Sequence, residues 1–102
     1  MTTLGGAPVT GRLALESVAW GTRLDLTCSY LTKQGGDIVY GGPMTYVMEV
    51  RRRSGDVDQV GTWMGIQGAT MHLTGATSAR RGNIAAVVVR TSEGQPVLRL
   101  AG

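Results

Sequence analysis

The chain has 102 residues, a common size for one domain and too small for two. Its hydrophobic content of 42% and charged content of 17% exclude an intrinsically disordered protein. The net charge of +3 permits weak attraction to nucleic acid, anionic lipid or acidic polymer without choosing among them. A single cysteine excludes an internal disulfide. Since no apolar run reaches the ~18 residues of a membrane span, the isolated chain is expected to be soluble.

Glycine frequency decides between helix and strand in this sequence. The 16 glycines interrupt it too often for an amphipathic helix of ordinary length, because each glycine costs a helix roughly 1 kcal/mol. We expect a flexible lead-in over 1–10 and a single domain over 11–102. The first strand is predicted over 12–20, with a register change near Ser17. The run Arg23–Tyr30 alternates apolar and polar residues and predicts a half-buried strand.

The rest of the chain continues as short strands separated by turns. Further strands are predicted over 45–51, 57–64, 69–74, 83–91 and 96–100. The run 83–91 is the most apolar and predicts a central strand covered on both faces. Hairpin turns are predicted at Ser54–Asp56 and at Ser92–Gln95, where Gly94 suits a positive φ angle. About seven strands with regular turns predict an all-β fold, a single-domain antiparallel β-sandwich, with a small β-barrel as the alternative.

The sequence contains no grouping of residues that predicts catalysis. His72 is the only histidine, has no neighbour that would position it for acid–base chemistry, and is expected to face solvent. Cys28 lies on the apolar side of its strand and is predicted to be a small buried hydrophobe, with thiol sensing or an intermolecular disulfide as alternatives. One cysteine and one histidine fall short of the usual zinc ligand count. We therefore expect no enzyme activity, no cofactor and no metal.

Two arginine clusters and one tryptophan are the candidates for binding. The candidate ligand or partner surface consists of Trp63, Arg51, Arg52 and Arg53. Together with Arg80–Arg81, these arginines are either solvated strand ends or a patch for nucleic acid or acidic polymer. Trp63 is predicted to be a core anchor, with a platform for sugar stacking as the alternative. Because single-strand binding needs exposed aromatics, nucleic acid is not an expected partner. Three other aromatic side chains are expected to point inward: Trp20, Tyr30 and Tyr46.

Four blocks of the sequence resemble, in the same order, a family of actinobacterial domains. The first block begins Trp20-Gly21-Thr22 and continues through Cys28 to Tyr30. The later blocks are Gln59–Trp63, Ile84–Arg90 and Gly94–Leu100. On these blocks the chain resembles the C-terminal extracytoplasmic domain of actinobacterial membrane-bound anti-sigma factors, which belong to the zinc-binding anti-sigma factor family. The structural motif carried by the resemblance consists of Trp20, Gly21, Thr22, Cys28 and Gly94.

The resemblance implies a non-catalytic sensor or regulatory domain on the extracytoplasmic face of the cell membrane. In that family a separate cytoplasmic domain holds an extracytoplasmic-function sigma factor, and one transmembrane helix joins the two domains. This sequence contains neither the zinc ligands nor the helix, so no family site is transferred to it. The implied partners are a sigma factor bound through the other domain and a membrane bound through a helix outside this chain. Exposed sheet edges also allow a homodimer. A cell-wall or carbohydrate-binding β-sandwich module is the alternative function.

Overall fold

β-Strands make up nearly all of the chain that the computed structural model describes, residues 2–3, 9–30, 44–66 and 68–101. The strands are β1 (Thr2–Thr3), β2 (Val9–Val18), β3 (Gly21–Tyr30), β4 (Met44–Arg52), β5 (Val57–Gly65), β6 (Thr70–Thr77), β7 (Ile84–Thr91) and β8 (Pro96–Ala101). A single turn of 3₁₀-helix over Arg81–Asn83 precedes β7.

The strands form two antiparallel sheets, one with the order β1-β8-β7-β4-β5 and the other with the order β2-β3-β6. Four links cross from one sheet to the other: those from β1 to β2, from β3 to β4, from β5 to β6 and from β6 to β7. The apolar faces of the two sheets pack against each other, as in a sandwich. The predicted antiparallel sandwich is therefore confirmed. Within the described ranges the sheets form two layers and not the closed barrel considered as the alternative.

The core lies where alternate side chains of the two sheets meet. β3 contributes Leu24, Leu26 and Cys28, each exposed by 1% or less, so the alternation predicted for this strand is confirmed. β7 lies between β8 and β4, and its residues 86–89 are at most 2% exposed, as expected of a central strand. Each aliphatic side chain buried in this way contributes roughly 1.5–3 kcal/mol. The sandwich is therefore held mainly by many aliphatic contacts between its sheets.

The N-terminal part of the chain differs from the expected arrangement. Residues of the predicted lead-in join the sheets, since Thr2–Thr3 pair with β8 and Val9 is 1% exposed in the core. The sandwich therefore begins before residue 11. The register change near Ser17 is wrong, because β2 pairs with β3 without interruption along its whole length. Trp20 does not point inward: β2 ends before it, and Trp20 lies in the following turn with 53% of its surface exposed.

Both predicted hairpin turns are confirmed, each with a glycine in a left-handed conformation. Gly55 has a φ of +97°, and its N–H donates to the carbonyl of Arg52 at 3.0 Å. Gly94 has a φ of +98°, and its N–H donates to the carbonyl of Thr91 at 2.9 Å. Other residues adopt such angles only at a cost, so these two positions favour glycine. The four glycines of residues 33–43 predict a loop, and this segment lies outside the described residues.

Candidate functional site

One end of the sandwich, called here the arginine pole, consists of residues 19–20, 52–58 and 78–83. The backbone N–H of Arg53 donates to the carbonyl of Asn83 at 2.7 Å, and its Nε donates to the carbonyl of Gly82 at 3.0 Å. Arg52 Nη2 donates to Ser78 Oγ at 2.9 Å. The β4–β5 turn is thereby attached to the segment between β6 and β7. Arg52 and Arg53 therefore share one surface with the segment of the second arginine cluster, which is distant in the sequence.

The β2–β3 turn belongs to the same pole because Arg80 binds it. The guanidinium of Arg80 donates to the carbonyls of Val18 and Ala19, at 3.2 and 3.1 Å. Val18 pairs with Gly21, so only Ala19 and Trp20 form the turn, and the indole of Trp20 extends into solvent. A planar guanidinium suits two nearby acceptors, which a lysine ammonium could not bind in the same geometry. Arg80 therefore fixes an exposed tryptophan beside the arginines of the pole.

Gly21 and Thr22 bring this turn into contact with the end of β6. Gly21 has a φ of +148°, and a Cβ atom at this position would lie 2.1 Å from the carbonyl oxygen of Thr77. Thr22 is fully buried, and its hydroxyl donates to the carbonyl of Ala79 at 2.8 Å. The Trp20-Gly21-Thr22 motif thus combines a solvent-facing indole, a close backbone contact and a buried hydrogen bond. Its second and third residues have structural roles, while Trp20 is free for a surface role.

Asp58 is the acceptor that connects the two sheets at the pole. Its Oδ2 accepts hydrogen bonds from Arg52 Nε at 2.8 Å and from the Thr77 hydroxyl at 2.7 Å. The hydrogen bonds from Thr77 and Arg52 and the positive charge of Arg52 lower the pKa of the Asp58 carboxyl, against a smaller opposing effect of burial. Because Asp58 is on β5 and Thr77 on β6, the carboxylate joins strands of different sheets.

We expect Asp58→Asn to reduce the loss of folding stability that occurs when the pH is lowered. The lowered pKa of Asp58 means that its charged form stabilises the fold fully above the ordinary aspartate pKa of 3.8. That contribution is lost as the pH falls through 3.8 towards the lower pKa of the folded state. Urea unfolding of the wild type between pH 6 and roughly pH 3 should therefore show a decline in the free energy of unfolding, and D58N should show a smaller one. Asp56→Asn, in the same turn, is the matched control and should decline like the wild type. Equal slopes for D58N and D56N would refute this role of Asp58.

Arg51 does not belong to the pole, although it adjoins Arg52 in the sequence. It points to the outer face of the five-stranded sheet, where its Nη2 lies 3.8 Å from Glu49. The Glu49 carboxylate also accepts a hydrogen bond from Arg90, and Glu49 is only 8% exposed. Removing one partner of such a pair leaves an uncompensated charge, so these contacts are primarily structural. The three consecutive arginines therefore do not form one continuous surface.

Trp63 lies in the core, towards the end of the sandwich opposite the arginine pole. It is 8% exposed, and its indole N–H donates to the hydroxyl of Tyr30. Its ring stacks on that of Tyr46 at a centroid distance of 6.2 Å, and Tyr46 lies 5.3 Å from Tyr30. The inward orientation expected of both tyrosines and the core role expected of Trp63 are thereby confirmed. A buried indole has no free face on which a sugar ring could stack.

The reactivity of Cys28 is determined by its burial. Cys28 is fully buried and is a free thiol. Burial raises the pKa of the thiol to about 11, and a hydrogen bond with Tyr30 offsets part of that rise. Because the thiolate is the reactive species, a thiol with such a pKa is almost entirely unreactive at neutral pH. The expected role as a small buried hydrophobe agrees with this environment.

We predict that Cys28 reacts with a water-soluble disulfide reagent only when the sandwich opens. At pH 8, roughly one thiol in a thousand is ionised in the folded protein, and the side chain is shielded from the reagent. The labelling rate should rise by at least two orders of magnitude in denaturing urea, which is measured by release of the chromophore. Rapid stoichiometric labelling of the native protein would instead support a thiol sensor.

His72 is exposed on the outer face of the three-stranded sheet, as predicted. Its Nδ1 lies 3.1 Å from the hydroxyl of Thr27, with which it exchanges a hydrogen bond. Asp25, on the same face, accepts a hydrogen bond from Thr74 at 3.2 Å and pairs with Arg23 at 3.4 Å. These contacts do not form the carboxylate–histidine pair that orients a general base. Across the described ranges, no cluster of three or more His, Cys, Asp or Glu side chains is placed to hold a metal ion.

The chain matches no protein-family model, no curated protein sequence and no solved structure. None of the helices in the described part of the chain has the length and apolar character needed to cross a membrane. What the protein does must therefore be inferred from its own residues.

Proposed function

We propose that this chain is the extracytoplasmic regulatory domain of a membrane-bound anti-sigma factor and has no catalytic activity. The observation that carries the proposal is the order of the four blocks between Trp20 and Leu100, which resembles that of the actinobacterial domains. A sigma factor would bind to a separate cytoplasmic domain, and this domain would act from the other side of the membrane.

The positions of the block residues in the sandwich support the proposal. Cys28 and Trp63 lie in the core, Gly21 permits a contact that a side chain would block, and Gly94 forms the β7–β8 turn. Such residues define a fold and not a catalytic site. A chain that shares them in the same order is expected to fold in the same way, and a shared fold is what a regulatory domain of this family requires.

The proposed mechanism uses the folded domain as an obstacle. A compact sandwich close to the membrane hinders a protease whose cleavage site lies in the chain that leads to the membrane. Local opening of the sandwich, or a ligand that changes the population of its states, then exposes the site. Cleavage releases the sigma factor on the other side of the membrane. In this mechanism the stability of the sandwich sets the threshold for the signal.

Deleting codons 9–101 from the chromosomal gene and sequencing total RNA tests the proposal. We expect transcripts that depend on one alternative sigma factor to change together, because their inhibitor has lost its extracytoplasmic part. Two point variants separate folding from other effects. Gly21→Ala, which disrupts the fold, should mimic the deletion, whereas Gly82→Ala, where a Cβ atom meets nothing within 4 Å, should behave as the wild type. An unchanged transcriptome after the deletion would refute the proposal.

The carbohydrate-binding alternative depended on Trp63 being exposed next to the arginine clusters. Trp63 is buried and lies towards the end of the sandwich opposite Arg52 and Arg53. The main evidence for a sugar-stacking platform at Trp63 is therefore lost.

A further inference from the structure

The arginine pole concentrates positive charge at one end of the molecule. It contains Arg52, Arg53, Arg80, Arg81 and two aspartates, a net charge of +2. One of the aspartates, Asp58, is engaged with Arg52 and Thr77. At the opposite end, the described residues 9–10, 29–30, 44–45, 65–66, 68–70 and 91–96 contain a single charged residue, Glu93. The described part of the protein is therefore electrostatically polarised along its strands, and an anionic partner is attracted to the pole.

An apolar side chain is exposed beside these arginines. Trp20 is 53% exposed and directly follows Ala19, whose carbonyl accepts a hydrogen bond from Arg80. Arginines next to an exposed indole match the two layers of a bilayer surface. The headgroup phosphates bind guanidinium groups, and the interfacial region beneath them favours the indole of tryptophan.

The direction of β1 brings the upstream chain towards the same pole. β8 runs towards the pole, since Ala101 pairs with Ala86 near the start of β7. Thr2 pairs with Arg99 and Thr3 with Leu98, so the backbone moves towards the pole from Thr3 to Thr2. Any segment that precedes β1 and anchors the domain would therefore hold the arginine pole, and not the opposite end, closer to the anchor.

We propose that the arginine pole binds the anionic headgroups of a phospholipid bilayer, with Trp20 entering the interfacial layer. The proposal rests on the proposed function, because that function places the domain next to a membrane. Guanidinium groups of Arg53 and Arg81 contact phosphates, while Arg80 holds the β2–β3 turn so that Trp20 faces the lipid. The contact places the domain against the membrane and thereby limits access to the chain between them.

A bilayer fits the pole better than a nucleic acid does. Binding of single strands usually relies on several exposed aromatic side chains that stack on successive bases. Of the four aromatic residues in the described part of the chain, Trp20 is the only exposed one; the buried ones are Tyr30, Tyr46 and Trp63. A single indole at a rim of arginines matches interfacial anchoring instead.

Vesicle binding by the 102-residue chain tests the inference. Vesicles of phosphatidylcholine with about one-third phosphatidylglycerol present anionic phosphates, and pure phosphatidylcholine vesicles are the neutral reference. We expect co-sedimentation with the anionic vesicles at low salt, weakening as salt shortens the Debye length from roughly 30 Å to 8 Å. Tryptophan emission should move to shorter wavelength on binding, and Trp20→Phe should abolish this shift because Trp63 is already buried.

Two charge variants locate the binding surface. Arg81→Gln removes an exposed arginine of the pole and should lower the partition coefficient roughly fivefold. Arg12→Gln removes an exposed arginine from the edge strand β2, away from the β2–β3 turn, and should leave the partition coefficient nearly unchanged. Equal losses in both variants would mean that net charge alone drives binding and would overturn the assignment to the pole.

Other results would also overturn the inference. Absence of binding to anionic vesicles at low salt would refute it while leaving the anti-sigma role intact, since that role is tested by the transcriptome. A single-stranded oligonucleotide that binds more tightly than the vesicles and shifts the Trp20 emission would assign the pole to nucleic acid instead. Binding to neutral and anionic vesicles alike would exclude the headgroup charge as the recognised feature.

Discussion

Gly21→Ala is expected to destabilise the sandwich by about 3 kcal/mol or more. A φ of +148° is strained for any residue with a Cβ atom. The added Cβ would lie 2.1 Å from the carbonyl oxygen of Thr77 and 2.8 Å from the Cα of Ser78. Both atoms belong to the backbone, so no side-chain rotation relieves the overlap. For a domain of this size, the midpoint of thermal unfolding should fall by roughly 12–24 °C.

Two further glycines separate the causes of this loss. Gly94 has a φ of +98° with nothing within 4 Å of its Cβ position, so Gly94→Ala measures the conformational strain alone. Gly82 does not have a φ in the left-handed range, and a Cβ atom at this position would have no other atom within 4 Å. Gly82→Ala should therefore change the free energy of unfolding by about 0.5 kcal/mol at most. Urea unfolding of the three variants should rank G21A below G94A, and G94A below G82A. If G21A were as stable as G94A, the contact between the β2–β3 turn and β6 would have no energetic weight.

Trp63→Ala is expected to lower the free energy of unfolding by roughly 3–5 kcal/mol. The substitution removes a buried indole that stacks on Tyr46, and it leaves the hydroxyl of Tyr30 without its donor. Gly65 has no side chain, so the rings of Tyr46 and Tyr30 already pack closely against its backbone. These rings therefore cannot easily move to refill the space that the indole leaves. A Cβ atom at Gly65 would lie 2.5 Å from Tyr46 and 2.7 Å from Tyr30. The measurement is urea unfolding, and with a total stability of roughly 5–15 kcal/mol the variant should be near the limit of folding.

A double-mutant cycle isolates the hydrogen bond within this cluster. Trp63→Phe removes the donor and keeps an aromatic ring, whereas Tyr30→Phe removes the acceptor with little change of shape. Their coupling energy should be about 1 kcal/mol, the net value of a buried hydrogen bond. A coupling energy of zero would show that the ring contacts alone hold Trp63. If W63A were as stable as the wild type, Trp63 would not be a core anchor at all.

The proposed regulatory function and the proposed lipid contact predict different effects for the variants G21A and R81Q. G21A affects the fold as a whole and should alter both sigma-dependent transcription and vesicle binding. R81Q leaves the core intact and should weaken vesicle binding first. If R81Q also changed sigma-dependent transcription in cells, the contact between pole and membrane would be part of the regulatory mechanism.

The sequence by itself determined the elements and the content of the core. Alternation of apolar and polar residues is a local property, and it correctly predicted that Leu24, Leu26 and Cys28 share a buried face. Turn positions were predicted for the same reason, because a positive φ at Gly55 and Gly94 depends on the glycines themselves. The low aromatic content predicted a core of aliphatic side chains, and the absence of long glycine-free runs predicted an all-β sandwich.

The candidate site, by contrast, was decided by tertiary structure. Local alternation predicted Trp20 on the inside, but the last paired residue of β2 precedes it, and pairing depends on β3 as well as on β2 itself. Arg52 and Ser78 are brought together only when β4 and β6 lie in facing sheets. Pairing register and sheet packing depend on how the whole core is buried. A surface assembled from three separate turns therefore exists only in the folded chain, whereas each strand and turn can be recognised from its own residues.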